Sequence, residues 1–301
     1  MSSNTKKGVF CAVASALVFG ITPILASITL DLGSNAMTLT FYRNALAVPV
    51  LLVILLIRQV DLRVGMRDLA VLSAISAVFS ASTTFLVYEA YQYIGVGLAT
   101  TLHFLYPMFT VLFGWILFHQ RPDRYKAAAL VLATLGVGLA SGSSDSFAIK
   151  GIVLALISAM TYAGYLQGIE HSAIGKMDSM KSMFYMCIVN ALVIAAVDIP
   201  GGEIVYDLPP ITLFLTFILA VTNSTFAYVL LIVGIKLIGA GDAAIFSMLE
   251  PVSGVVFGVL LLGESLPLTK LISCILILTA VAIPIMRDRN SEKKKSENTS
   301  D

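Results

Sequence analysis

Ten apolar runs of about twenty residues each, separated by short polar gaps, dominate this chain of 301 residues. A bilayer core about 30 Å thick is crossed by ~20 residues of α-helix at ~1.5 Å per residue. Inside that core, only helices and closed barrels satisfy their own backbone groups. The runs lie at about 8–30, 36–57, 68–90, 97–118, 125–143, 148–169, 179–199, 210–234, 241–262 and 268–286. They predict an all-α, polytopic membrane protein with ten transmembrane helices. Hydrophobic residues are 58% of the chain and charged residues 12%, against about 25% charge in a soluble domain. Lys6 and Lys7 ahead of the first run imitate a signal peptide, but the run is too long for one and nine more come after it, so it is a membrane helix. Cys11, Cys187 and Cys274 are widely scattered within apolar runs. They form neither a disulfide framework nor a metal site and act as small hydrophobes.

Lysine and arginine set the expected orientation. With the N-terminus inside, sixteen of the nineteen basic residues fall in cytoplasmic segments. Only Lys150 and Lys270 lie on the opposite face, and Arg43 sits within the second run. Both termini are therefore expected in the cytoplasm, with the chain spanning the cytoplasmic (inner or plasma) membrane. Residues 287–301, RDRNSEKKKSENTSD, form a polar tail expected to be disordered. A net charge of +1 gives no basic face for nucleic acid.

The chain also repeats itself. At an offset of 144, Ile94, Gly95, Gly97, Pro107, Gly114 and Lys126 meet identical residues at Ile238, Gly239, Gly241, Pro251, Gly258 and Lys270. At 143, Gly8, Ala12, Ser15 and Ala16 meet Gly151, Ala155, Ser158 and Ala159. The repeat divides the chain into two five-helix units, 1–145 and 146–286. Five is odd, so the second unit enters the membrane from the other side. Inverted repeats recur in secondary transporters, whose substrate site lies near mid-depth between the halves.

The segment MLEPVSGVVFGVLLLGES (248–265), preceded by AGDAA, resembles the signature of EamA-type proteins of the drug/metabolite transporter superfamily. So do GVGLATTLHFLYPMFTVLFGWILFHQRP (95–122) and LTFYRNALAVP (39–49). The resemblance implies a carrier of amino acids or other small metabolites, with a central cavity lined by helices 1, 3, 4, 6, 8 and 9. One departure stands out: the first half has His119-Gln120 where the second has Gly263-Glu264.

Ionisable groups at bilayer depth are costly and should face the bundle interior or a wet cavity. Arg43, Glu89, His103 and Glu250 are the four. Helical rise puts Arg43 and Glu250 at depths about 6 Å apart, which allows an ion pair. Thr100, His103, Tyr106, Thr110 and Gly114 share one face of the fourth helix. Their mates Ala244, Ser247, Glu250, Gly254 and Gly258 share one face of the ninth. Pro107 and Pro251 should kink these helices and free the carbonyls of His103 and Ser247. Polar runs interrupt the third helix (Ser80, Ser82, Thr83, Thr84) and the eighth (Thr222, Asn223, Ser224, Thr225). Hydroxyls can bond back to their own helix, so Asn223, whose amide cannot, is the stronger site candidate. Tyr88 and Tyr162 are candidate cavity walls, whereas Tyr91, Tyr93, Tyr125 and Tyr206 near helix ends suggest an interfacial belt. The G-x-x-x-G pairs Gly138/Gly142, Gly164/Gly168 and Gly254/Gly258 permit close helix packing. Glu89, Asp198, Asp242 and Glu264 sit at helix ends, next to water.

The sequence contains no phosphate-binding G-x-x-x-x-G-K-[ST] loop and no hydrolase motif, so neither a cofactor nor an enzyme activity is implied. The expectation is a secondary carrier working by alternating access on a small polar or amphipathic metabolite. An amino acid is the first candidate substrate, and export the expected direction. One reading adds protons as co-substrate through Glu250, assisted by His103. Another makes the protein an uncoupled facilitator in which Glu250 and Arg43 are fixed architecture. From a different class come a lipid-handling accessory protein and an intramembrane enzyme.

Overall fold

A computed structural model describes residues 3–140, 148–262 and 268–297, with side chains through 139, 260 and 283 in the respective segments. The ten helices are α1 Ser3–Asp31, α2 Ala36–Ile57, α3 at 66–94, α4 at 96–118, α5 Arg124–Ala140, α6 Ile149–His171, α7 Ser179–Asp198, α8 Pro210–Ile238, α9 at 240–262 and α10 Leu268–Glu297. Seven stretches among the described residues are long and apolar enough to cross a membrane. One of these, Met66–His103, holds α3 and the start of α4, divided at Gly95. Gly142, Glu264 and the expected junction near residue 145 lie outside the described residues. The backbone of α10 runs past Met286 to Glu297, where the tail was expected to be disordered. Lys, Arg and Glu are good helix formers, and neither Gly nor Pro stops the helix there.

A two-fold pattern governs the packing. α1 lies along α8 as α6 lies along α3; α4 touches α6 as α9 touches α1; α2 pairs with α7 and α5 with α10. The close contacts repeat at the atomic level. A Cβ on Gly8 would stand 2.7 Å from Ile238 Cγ2, and one on Gly151 would stand 2.7 Å from Ile94 Cγ2. Only glycine lets these backbones approach so far. Gly164 and Gly168 serve the α6–α3 contact in the same way, against Phe79 and Ile75.

The irregular backbone repeats too. Gly95 (φ 72°, ψ 162°) and Gly239 (φ 84°, ψ 159°) form matching elbows in a region open essentially to glycine alone. Widened π-helical turns occur at Ser76–Ala81 and Ala220–Ala227, where the polar runs lie. Hydroxyls there bond back to their own helix: Thr83 donates to Phe79 O (2.6 Å) and Thr225 to Ala220 O (3.3 Å). α4 is interrupted at 104–105 and α9 at 248–249, directly before Pro107 and Pro251. Leu105 N–H and Leu249 N–H each turn back three residues, to Leu102 O and Phe246 O, both at 3.2 Å. One break has no mate. α1 is interrupted at Gly20–Ile21, whereas α6 is continuous. Large side chains such as Phe10, Leu56, Trp115, Leu117 and Leu260 project from the bundle, as a lipid-facing surface requires.

Candidate functional site

A cavity of about 60 Å³ opens between the two repeats, space for a few water molecules. Arg43 enters its wall from α2 and is buried, with 4% exposure. Its Nη1 donates to Tyr88 Oη (2.9 Å) and its Nη2 to Thr84 Oγ1 (3.0 Å), both on α3. The guanidinium carbon lies 5.8 Å from the ring centres of Tyr88 and Tyr228, within cation–π range. Among the described residues no carboxylate pairs with Arg43. The ion pair with Glu250 that the depths allow is therefore not formed, because hydroxyls and rings of α3 and α8 have taken the guanidinium.

Glu250 lines the same cavity from α9. It opens the helix segment beyond the break at 248–249, so its carboxylate stands at a helix N-terminus, where negative charge is favoured. Its side chain makes no hydrogen bond or ion pair among the described residues. His103, the last residue before the matching break in α4, lines the wall beside Tyr162 of α6. The imidazole lies 5.5 Å from the Tyr106 ring and 5.4 Å from that of Tyr162, with Nδ1 2.9 Å from Ser158 Oγ.

Five of the expected site residues, Arg43, Tyr88, His103, Tyr162 and Glu250, thus meet around one space. Three do not reach it. Tyr106 (0% exposed), Ser247 (2%) and Asn223 (0%) lie behind the wall. The Ser247 hydroxyl bonds back to Ala243 O (3.0 Å), and Asn223 Nδ2 donates to Thr22 Oγ1 (2.7 Å), tying α8 to α1. The breaks explain the division. The cavity lies on the side of the Gly95 elbow, so it exposes the α4 segment before its break and the α9 segment after its break. Tyr106 and Ser247 belong to the other two segments.

Other wall residues escaped the sequence argument. Tyr91, expected in an interfacial belt, is buried in the wall and accepts from Thr100 Oγ1 (3.2 Å). Its spacing from Thr84 and Tyr88 was the available signal, since all three share a helix face. Tyr228 comes four residues after Ser224 and three after Thr225 and continues their stripe. Thr22 and Pro23 enter only because α1 breaks ahead of them. Glu89 is clear of the wall and accepts from Gln92 (3.3 Å).

Towards the basic face, a polar network surrounds a second cavity of about 190 Å³. Glu170, at the end of α6, accepts from the N–H of Ala240 (2.7 Å), the first residue of α9, and from Gln120 Nε2 (3.0 Å) after α4. Lys126 of α5 pairs with Asp242 of α9 at 2.9 Å. Gln167 of α6 donates to Thr110 O of α4 (2.7 Å). Among the described residues no carboxylate caps the matching Gly95 elbow. The two elbows match in backbone, but the carboxylate cap is found at Gly239 alone among the described residues.

The model of the EamA-like transporter family matches this chain twice, over residues 6–142 and 149–286. The uncharacterized transporter sll1319 of Synechocystis is 26% identical over 204 residues, which are 66% of this chain and 61% of that protein's length. The uncharacterized transporter YcbK of Bacillus subtilis is 28% identical over 261 residues, 81% of each chain. A solved crystal structure superposes with a TM-score of 0.80 at 18% identity, covering 97% of this chain and 99% of the other, so the fold is shared. With two matches that together take in nearly every membrane helix, this multi-pass membrane protein belongs to the EamA-like transporter family of the drug/metabolite transporter superfamily.

Proposed function

We propose that this protein is a secondary carrier exporting a small zwitterionic metabolite, an amino acid or a close relative, across the cytoplasmic membrane by alternating access. One observation carries the substrate class. Arg43 and Glu250, of opposite charge and both without an ionic partner among the described residues, line one cavity. A charge held away from water needs a partner, and a zwitterion supplies one to each, its carboxylate to Arg43 and its ammonium to Glu250. Glu250 is also where a proton and the ammonium compete, which couples export to proton entry. The basic face is then cytoplasmic, and the central cavity faces outward. Release of the Glu170 and Lys126 contacts opens the opposite state, in which Tyr106 and Ser247 become accessible beside Glu250. A cavity of about 60 Å³ is too small for an amino acid as it stands, so binding requires the helices to part.

The test is counterflow of a labelled amino acid in proteoliposomes. N-acetylated and carboxamide analogues should each fail to compete, because each lacks one charge. Equal competition by both, or by neutral sugars, overturns the zwitterion reading. Accumulation driven by an imposed pH gradient should vanish in Glu250→Gln, and the weakened counterflow that remains should no longer respond to pH. Gradient-driven accumulation that survives the substitution removes the proton from the scheme.

A further inference from the structure

The contact between His103 and Ser158 has a direction that the distances fix. Ser158 Oγ lies 2.9 Å from His103 Nδ1 and 2.6 Å from the carbonyl oxygen of Ala155, three residues back in α6. A hydroxyl has one hydrogen. Pointing it at the imidazole would leave two oxygens facing each other at 2.6 Å through their lone pairs. That separation is the length of an O–H···O bond, so the hydrogen lies on the Ala155 side. Ser158 Oγ is then an acceptor toward His103, and the shared proton belongs to Nδ1. In a neutral imidazole the other nitrogen carries a lone pair, and the partner of one nitrogen sets the state of the other.

That second nitrogen, Nε2, has no hydrogen-bond partner among the described residues, and His103 lines the central cavity. The ring is held between Tyr106 and Tyr162, which keeps the imidazole from turning over. The arrangement occurs in one repeat only. Ser15, the mate of Ser158, donates across to Ala227 O (2.8 Å), and Ser247, the mate of His103, bonds to its own helix.

We propose that Ser158 holds His103 in the Nδ1-protonated form, so that its Nε2 lone pair faces the cavity and selects solutes presenting a hydrogen-bond donor there. In this role Ser158 is a positioning residue and His103 the contact residue. The proposal rests on the carrier reading for the identity of the solute, but its tautomer is measured without any solute.

The test is 15N NMR of histidine-labelled protein in lipid, with His119→Gln and His171→Gln removing the other two of the three histidines. At neutral pH the remaining signal should show a protonated Nδ1 and a bare Nε2. Ser158→Ala should convert it wholly or largely to the Nε2-protonated form, and Ser158→Thr, which keeps the oxygen, should restore the original. A wild-type signal from the Nε2-protonated or charged ring overturns the proposal, and so does a tautomer indifferent to Ser158→Ala. The wild-type spectrum decides even where a Ser158 variant fails to fold. On the functional side, Ser158→Ala should weaken amino-acid binding about tenfold; unchanged affinity removes the selecting role. If no amino acid binds wild-type protein while the tautomer is as stated, the zwitterion reading fails and the Ser158–His103 assignment stands.

Discussion

Glu170→Ala should unfasten one face of the transporter. The carboxylate accepts two hydrogen bonds, at 2.7 Å from Ala240 N–H and 3.0 Å from Gln120 Nε2, and so joins α6 to the start of α9 and the end of α4. Hydrogen bonds to charged groups contribute roughly 1.5–3 kcal/mol each when buried. Glu170 is half-exposed, which brings the pair together to about 2 kcal/mol. Lost from the closed state alone, that energy moves the closed-to-open ratio about 30-fold. The readout is a single cysteine at Ser247, now 2% exposed, with Cys11, Cys187 and Cys274 replaced by alanine. A membrane-impermeant maleimide added at the basic face should label Ser247→Cys about 30 times faster when Glu170→Ala is present. Glu89→Ala, near the other face, should leave the rate unchanged. Equal labelling with and without Glu170→Ala, in protein that remains monodisperse, would refute the latch.

Four further outcomes are expected from the same geometry. Gly95→Ala and Gly239→Ala each force a side chain into backbone with φ of 72° and 84°; both should lower thermal stability, by about 1–3 kcal/mol, and slow transport. Gly8→Ala and Gly151→Ala should cost similar amounts, about 1–3 kcal/mol each by overpacking, measured as loss of folded protein in detergent melts; a harmless substitution at either breaks the claimed equivalence. Asn190 binds Asn44 Oδ1 (3.2 Å) and Ser80 Oγ (3.0 Å) and accepts from Ser76 Oγ (2.8 Å), so Asn190→Leu should loosen α2, α3 and α7 by roughly 1–2 kcal/mol without changing substrate preference. Arg43→Lys keeps the charge but loses the two-armed donation to Tyr88 and Thr84, and counterflow should fall at least tenfold while expression is unchanged.

Hydropathy alone is enough to place the helices, because a bilayer admits few alternatives, and matched glycines and prolines disclose the duplication. The site was partly legible. Spacing turned Arg43, Tyr88, His103, Tyr162 and Glu250 inward, and all five line the central cavity. Helical periodicity then misled at the breaks. It carries a stripe straight from His103 to Tyr106 and from Ser247 to Glu250, whereas the tightened turns at 104–105 and 248–249 re-aim the side chains beyond them. Depth also says nothing of competition for a charge: Arg43 was within reach of Glu250, but Tyr88 and Thr84 were nearer. Tyr91 was misplaced because the third helix runs on to residue 94, beyond the apolar run that marked its end. The polar runs gave no warning of widened turns, since hydroxyls are equally at home in an unbroken helix.

The joint at Gly20–Ile21 makes the two halves mechanically unequal. A Cβ on Gly20 would come 1.9 Å from Ser253 Oγ, so the bend is seated directly against α9, and the ten residues beyond it, Thr22–Asp31, form a short rod of their own. On the other half, α6 has no such articulation and must travel as a single stiff lever. Opening towards the two faces therefore draws on different joints, and a lesion at Gly20 should slow the half of the cycle in which α1 bends, in both directions, more than the other half.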